Sequence, residues 1–457
     1  MTDRSNVERG TSDGNGLLRY TGMLADLGDA ALGELLDRTT SRDEGVRTRT
    51  AAIVERVRQG GDEALRELAR ELDGVELGAL EVPRAAWDAA LEALDPALRR
   101  AMERAAANVR RAHEAFGATA VEVETEPGVV VGRRPDPLRR VGVYAPGGRA
   151  AYPSSVLMGV VPARVAGVEE VVVCSPPGPD GRPSAVVLAA AALGGADRVF
   201  ALGGAGAIAA MAHGTATVPR VDRIVGPGNA YVAEAKLQVA GVVAIDAPAG
   251  PSELLVLADF SADPMAVARE LLAQAEHDPR AAVVAVAVGE ELASEITSAL
   301  DRMLPDQPRR DVVAAALAAR GGVLVAQDYD RAIAFANAYA PEHLLLAVFD
   351  AELEAVLARV RNAGTVFVGL SSSVAFGDYM TGANHVLPTG GLARSYSGLS
   401  TLDFVRWTTY QRVLPRAAAA MAADVGTFAD AEGLPAHAAA ARSWAESDAV
   451  RLAGGEL

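Results

Sequence analysis

From Arg140 to Val368 the chain alternates short β-branched runs with Ala-rich segments of helical length. Val141–Tyr144, Glu170–Cys174, Arg198–Leu202, Arg223–Val225 and Val242–Ile245 read as strands. The pattern resumes with Leu254–Leu257, Ala282–Val288, Val323–Ala326, Leu344–Val348 and Thr365–Val368. Strands joined through helices need crossover connections, and crossovers cover both faces of a mainly parallel sheet. A length of 457 residues allows two to four domains at roughly 150 residues each, and two α/β domains fit better than one long sheet.

The flanks read differently. Residues 17–117 read as helical, with Asp95 as N-cap and Pro96 in the first turn of a helix running toward Gly117. Val121–Arg133 alternates around Pro127-Gly128 and predicts a hairpin. The last sixty residues are Ala-rich and read as a helical tail.

A net charge of −16 argues against coating nucleic acid or an anionic membrane. Lys236 is the one lysine against 42 arginines, a skew that reads as codon bias rather than chemistry. Cys174 is the sole cysteine, so no intrachain disulfide and no cysteine-rich zinc module can form. Met1–Gly16 lacks the apolar core of a signal peptide, and no apolar stretch approaches the ~20 residues of a bilayer span. A soluble, cytoplasmic protein is expected.

Two glycine turns follow strands: Tyr144-Ala145-Pro146-Gly147-Gly148, and Gly226-Pro227-Gly228-Asn229 with Asn229 as N-cap. Such turns can present N–H groups to phosphate, or simply reverse the chain. Gly204–Ala209 matches G-x-G-x-x-A, but Asp222, at about the acidic residue's spacing, precedes the next strand, so the match is weak.

Six histidines occur, His113, His213, His277, His343, His385 and His437, and their company is informative. Gln274 and His277 lie at i and i+3 on a predicted helix and share a face, as metal ligands or as a helix-end contact. Glu342-His343 can supply a base and its electrostatic partner, or stand in a solvated loop. Asp378 and Asn384-His385 occupy the Gly-rich stretch Ser371–Ser400, which reads as a functional loop. Glu432 and His437 flank Pro435. No Ser/His/Asp arrangement or P-loop is identifiable, and Cys174 reads as a buried, inert thiol.

The ordered set of segments resembles the histidinol dehydrogenase family over about residues 20–440. The matching stretches are 141–148, 152–158, 225–231, 248–253, 274–278, 340–344, 377–379, 384–388 and 432–434 with His437. The resemblance implies two Rossmann-like domains with mainly parallel sheets, a helical N-terminal segment (1–34) and a helical C-terminal tail (396–457). Residues 35–143 and 252–395 would form a catalytic, zinc-binding domain, and 144–251 an NAD-contacting one.

It further implies a zinc- and NAD-dependent enzyme, with one zinc per subunit, that oxidises L-histidinol through L-histidinal to L-histidine at the end of histidine biosynthesis. By the family pattern Gln274, His277, Asp378 and His437 resemble the zinc ligands, and Glu342 and His343 the catalytic pair. Ser252, His385 and Glu432 match substrate-contacting positions, which the zinc ligands and His343 share. Tyr144, Asn229 and the position of Gly206 match NAD contacts. The family often has glutamine where this chain has Gly206, so any NAD contact there is with backbone or absent. The resemblance also implies a homodimer whose tails exchange, so that Glu432 and His437 serve the other subunit. A dehydrogenase of another small amino- or sulfo-alcohol is the nearest alternative, and a catalytically silent metal- or nucleotide-binding α/β protein a more distant one.

Overall fold

The computed structural model describes residues 16–39, 43–147 and 151–446. Met1–Asn15, Gly148 of the first glycine turn and the end of the tail lie outside the described residues. In chain order the described strands begin with β1 (Tyr20–Met23) and the pair β2 (Val121–Glu126) and β3 (Val129–Pro137). Next come β4 (Arg140–Tyr144), β5 (Glu170–Ser175), β6 (Arg198–Ala201), β7 (Arg223–Val225) and β8 (Ala244–Ile245). They are followed by β9 (Glu253–Ala258), β10 (Ala282–Val288), β11 (Gly322–Ala326), β12 (His343–Ala347), β13 (Thr365–Val368) and finally β14 (Val405–Val413).

Two all-parallel sheets result. One runs β6-β5-β4-β7-β8, the other β1-β11-β10-β9-β12-β13. Counted from β4 and from β9, each sheet has the doubly wound order 3-2-1-4-5, and β1 is added at an edge of the second. The order reverses between β4 and β7, and again between β9 and β12. The strands are apolar beyond their first residues, because helices cover both faces: every residue of β9 is buried, as is every residue of β10 but the last.

Contact density divides the chain into two compact units. One contains Leu138–Phe404 with the chain up to Phe116, and so holds both parallel sheets. The other joins Gly117–Pro137 to the chain from Val405 on. Its antiparallel sheet, ordered β14-β3-β2, includes the predicted hairpin. The helices Pro415–Ala431 and Pro435–Arg442 follow β14.

Two sequence expectations change. The stretch 17–117 is not helical throughout: Tyr20–Met23 pairs in parallel with β11, and four residues with a glycine carry no readable period. The tail opens with a nine-residue strand whose partner, β3, is about 270 positions earlier in the chain. The helices Glu44–Leu68, Arg84–Glu92 and Pro96–Ala115 bury Val57, Leu65, Trp87, Met102 and Val109 in the core of the β4–β8 sheet, which Val386 and Leu399 also join. An apolar stripe shows that a helix has a buried face but not which sheet will cover it. The Asp95 cap is as expected, its carboxylate accepting from Ala97 and Leu98 N–H. Among the described residues no helix is long and apolar enough to cross a membrane.

Candidate active site

The helix Tyr329–Tyr339 ends at Ala340, the one described non-glycine residue with positive φ, at 50°. Such a conformation costs of order 1–3 kcal/mol and persists only where its surroundings impose it. Here Arg38 imposes it, donating through Nη2 to the Tyr339 carbonyl (2.6 Å) with its guanidinium over the Tyr339 ring (3.5 Å). The turn sends Pro341, Glu342 and His343 into β12, which pairs with β9.

Glu253, the first residue of β9, organises this edge. Its carboxylate takes two parallel bonds from Arg38 (2.9 and 3.1 Å) and one from Gly390 N–H (2.7 Å). Its main-chain N–H donates to Glu342 Oε2 (2.7 Å), and its carbonyl faces His343 Nδ1 (2.9 Å). A carbonyl can only accept, so Nδ1 carries the proton and Nε2 is left as the open ring nitrogen. Nε2 is buried, has no hydrogen-bond partner among the described residues, and lies 3.8 Å from Asp378 Oδ1.

Burial alone would lower the His343 pKa, but Glu342 (3.4 Å from Nδ1) and Asp378 outweigh it and push the imidazole up to about 9. Burial raises the Glu342 carboxyl, with His343 opposing the rise. Burial lowers His385, Asp378 opposes that, and His343 and His277 lower it further. His277, His343, Asp378 and His385 therefore lie within electrostatic reach of one another. His385 Nδ1 donates to the Asp378 carbonyl (2.8 Å), and its Nε2 is 3.4 Å from Ser155 Oγ. Gly377 lets the helix Val374–Tyr379 sit on Phe367, since a Cβ there would lie 2.5 Å from that ring. Phe367 in turn packs beside the His343 ring at 5.9 Å.

Gln274 is buried on the last turn of the helix Pro264–Ala275, but the helix stops there, so part-buried His277 lies beyond its end and not on a shared helical face, its N–H donating to the Gln274 carbonyl (3.3 Å). An amide oxygen, an imidazole and a carboxylate from Gln274, His277 and Asp378 suit a borderline divalent cation such as zinc. Among the described residues no three His, Cys, Asp or Glu side chains gather at metal-binding distances. His437 and Glu432 belong to the other compact unit, and both are exposed. Ser252 is part-buried and directly precedes β9.

The remaining candidates follow the strand ends of the other sheet. Tyr144 is buried at the end of β4, and its hydroxyl accepts from Gly204 N–H (3.1 Å). Burial pushes its pKa up to about 12. Asn229 caps the helix Ala230–Val239, accepting from Tyr231 and Val232 N–H. A Cβ on Gly206 would face Leu68 and Leu65 at 3.4 and 3.6 Å. The segment carrying His385 also reaches the helix Pro153–Val165 beyond β4, through Asn384 Nδ2 to the Met158 carbonyl (2.8 Å). Cys174 is buried, and burial pushes its thiol pKa up, as an inert thiol requires.

Sequence reasoning missed Arg38 and Glu253. Arg38 has no signal in a locally helical stretch, and Glu253 reads only as the polar start of a strand.

Two doubly wound sheets with a buried carboxylate–imidazole pair define the class, a doubly wound α/β protein with a candidate proton-transfer site. A family model described as histidinol dehydrogenase matches residues 36–444. Histidinol dehydrogenase of Halobacterium salinarum is 50% identical over 417 residues, 91% of this chain and 97% of that protein. That of Methanosarcina barkeri is 44% identical over 421 residues, 92% and 96% of the two chains. A crystal structure of histidinol dehydrogenase from Elizabethkingia anophelis superposes with a TM-score of 0.89 at 34% identity, covering 93% of this chain and 98% of that one. The chain belongs to the histidinol dehydrogenase family, whose place is in histidine biosynthesis.

Proposed function

We propose that the protein oxidises L-histidinol to L-histidine through L-histidinal, passing one hydride to each of two NAD⁺. Family membership supports the substrate. The observation that carries the chemistry is the buried Glu342–His343 pair, whose open Nε2 has no hydrogen-bond partner among the described residues.

Oxidising the alcohol removes a hydride from carbon and a proton from oxygen. His343 accepts that proton at Nε2, because Nδ1–H is held by the Glu253 carbonyl. The aldehyde then adds water. Glu342 accepts the proton of that water, and its raised pKa makes it a better base than an exposed carboxylate. The hydrated aldehyde then loses the second hydride and gives its remaining hydroxyl proton to His343, again neutral between the steps, to become the carboxylate.

Zinc would be held by Gln274, His277, Asp378 and the partner's His437, where it would orient the substrate's imidazole and amine. A cation held at Asp378 would oppose the upward pull of that carboxylate on His343 and so favour the neutral base. Ser252, His385 and the partner's Glu432 would complete the substrate contacts. NAD is assigned to the end of the β4–β8 sheet, beside Tyr144 and Asn229, with backbone alone at Gly206. This is the carboxyl edge of strands flanking the reversal point, where doubly wound sheets bind dinucleotides.

The homodimer is supported by the second unit, which exposes Val123, Val413, Leu414, Phe428 and Trp444. A reducing, cytoplasmic setting suits the single buried cysteine.

The test is steady-state NADH production on histidinol, with and without a chelator. Turnover abolished by chelator supports the reading. Turnover of another small amino alcohol, but not of histidinol, would replace it with the alternative substrate.

A further inference from the structure

In a chain with arginine at 42 of its 43 Lys and Arg positions, one position keeps lysine. That position is Lys236. Its side chain is 2% exposed, inside the helix Ala230–Val239. The ammonium pairs with Asp246, whose side chain is 4% exposed, and donates to the Gly226 carbonyl (3.0 Å). The other Asp246 oxygen, Oδ2, accepts from the Gly226 N–H (2.7 Å). One buried ion pair thus holds both main-chain polar groups of one glycine.

Gly226 is the residue that most needs such holding. Its φ is 113°, and a Cβ there would run into the Tyr144 carbonyl oxygen. No other residue fits, and glycine by itself does not favour one conformation. Gly226 follows β7 at the point where the strand order reverses, and it opens the turn that ends at Asn229. Arginine would bring five N–H donors and a wider, planar head to a site that offers two acceptors, whereas an ammonium has three donors on a compact point.

We propose that Lys236 is a positioning residue that, with Asp246, locks Gly226 and so holds the 226–229 loop in the form that receives NAD. The inference rests on the reading of that loop as an NAD contact.

Lys236→Met alone strands a buried carboxylate and risks misfolding. The informative variant is therefore Lys236→Met/Asp246→Leu, which removes both charges and refills the site with apolar volume. Its melting temperature is compared with the parent's, NAD affinity is measured by calorimetry, and KM is measured for both substrates. A melting temperature near the parent's, NAD binding weakened about tenfold or more and an unchanged histidinol KM support the lock, because a preorganised loop contributes to affinity without new contacts. Lys236→Arg should weaken NAD binding in the same direction. Parent-like NAD affinity in the double variant overturns the inference, provided Asn229→Ala weakens NAD binding. If Asn229→Ala also binds NAD like the parent, the reading of the loop as an NAD contact falls, and the inference falls with it.

Discussion

Glu253→Gln separates what the Arg38–Glu253 pair does for stability from what β9 does for chemistry. The two side chains are 2% and 3% exposed and meet through parallel bonds of 2.9 and 3.1 Å. Replacing the carboxylate by an amide leaves a buried guanidinium without its counter-charge, and breaking one side of such a pair costs about 3–5 kcal/mol. Arg38 keeps the Tyr339 carbonyl and ring, which favours the lower end of that range. The loss is read as a fall in the urea midpoint at constant slope. Activity should respond less, because β9 holds Glu342 and His343 through the Glu253 main-chain N–H and carbonyl, which glutamine retains. Assayed well below the unfolding transition, kcat should fall by less than about tenfold, against the factor of about 10² to 10⁴ expected for loss of a general base in His343→Asn. A stability loss below about 1 kcal/mol, typical of exposed pairs, would refute the burial argument. A kcat as low as that of His343→Asn in folded protein would refute the main-chain argument.

Glu342→Gln should spare conversion of histidinol to histidinal more than histidinal to histidine, whereas His343→Asn should slow both; separate assays of the two half-reactions check this, and equal slowing by Glu342→Gln contradicts the division. His277→Asn should lose bound zinc by elemental analysis while keeping the parent's circular dichroism, and full metal occupancy would remove His277 from the ligand set. Mixing inactive His343→Asn and His437→Asn proteins under subunit exchange should restore up to about half the parent activity per mixed dimer, since two-fold symmetry puts both defects in one site. No recovery after demonstrated exchange would assign His437 to its own chain. Burial alone would raise the Asp259 carboxyl, but hydrogen bonds from Ser261, Tyr329 and the Phe349 N–H hold it below the usual 3.8. A depressed pKa stabilises the fold above the unfolded value and loses that contribution as pH falls through the folded one. Asp259→Asn should therefore destabilise the protein at neutral pH and flatten its acid-unfolding limb.

Much of the site could be read from local sequence. The Glu342-His343 pair and the Asn229 cap each depend on a few consecutive residues, and their local geometry is as the spacing predicts, whereas the helix carrying Gln274 ends at Ala275, short of His277. Arg38 and Glu253 escaped because they are 215 positions apart, and only the fold makes them partners. Lys236 was conspicuous as a count but silent as chemistry until Gly226 and Asp246 were seen around it.

The ten central strands and the hairpin expected over Val121–Arg133 were set by runs and alternations of a few residues, because side-chain periodicity is a property of the nearby backbone. Which strand pairs with which was decided only in three dimensions. β1 takes an edge beside β11, β14 returns to β3, and the helices of residues 44–115 cover the β4–β8 sheet. Apolar patterning specifies that a face must be covered but carries no address for its partner. That choice is made by the shape and volume of the assembled core, and the buried ion pairs form only after it has been made.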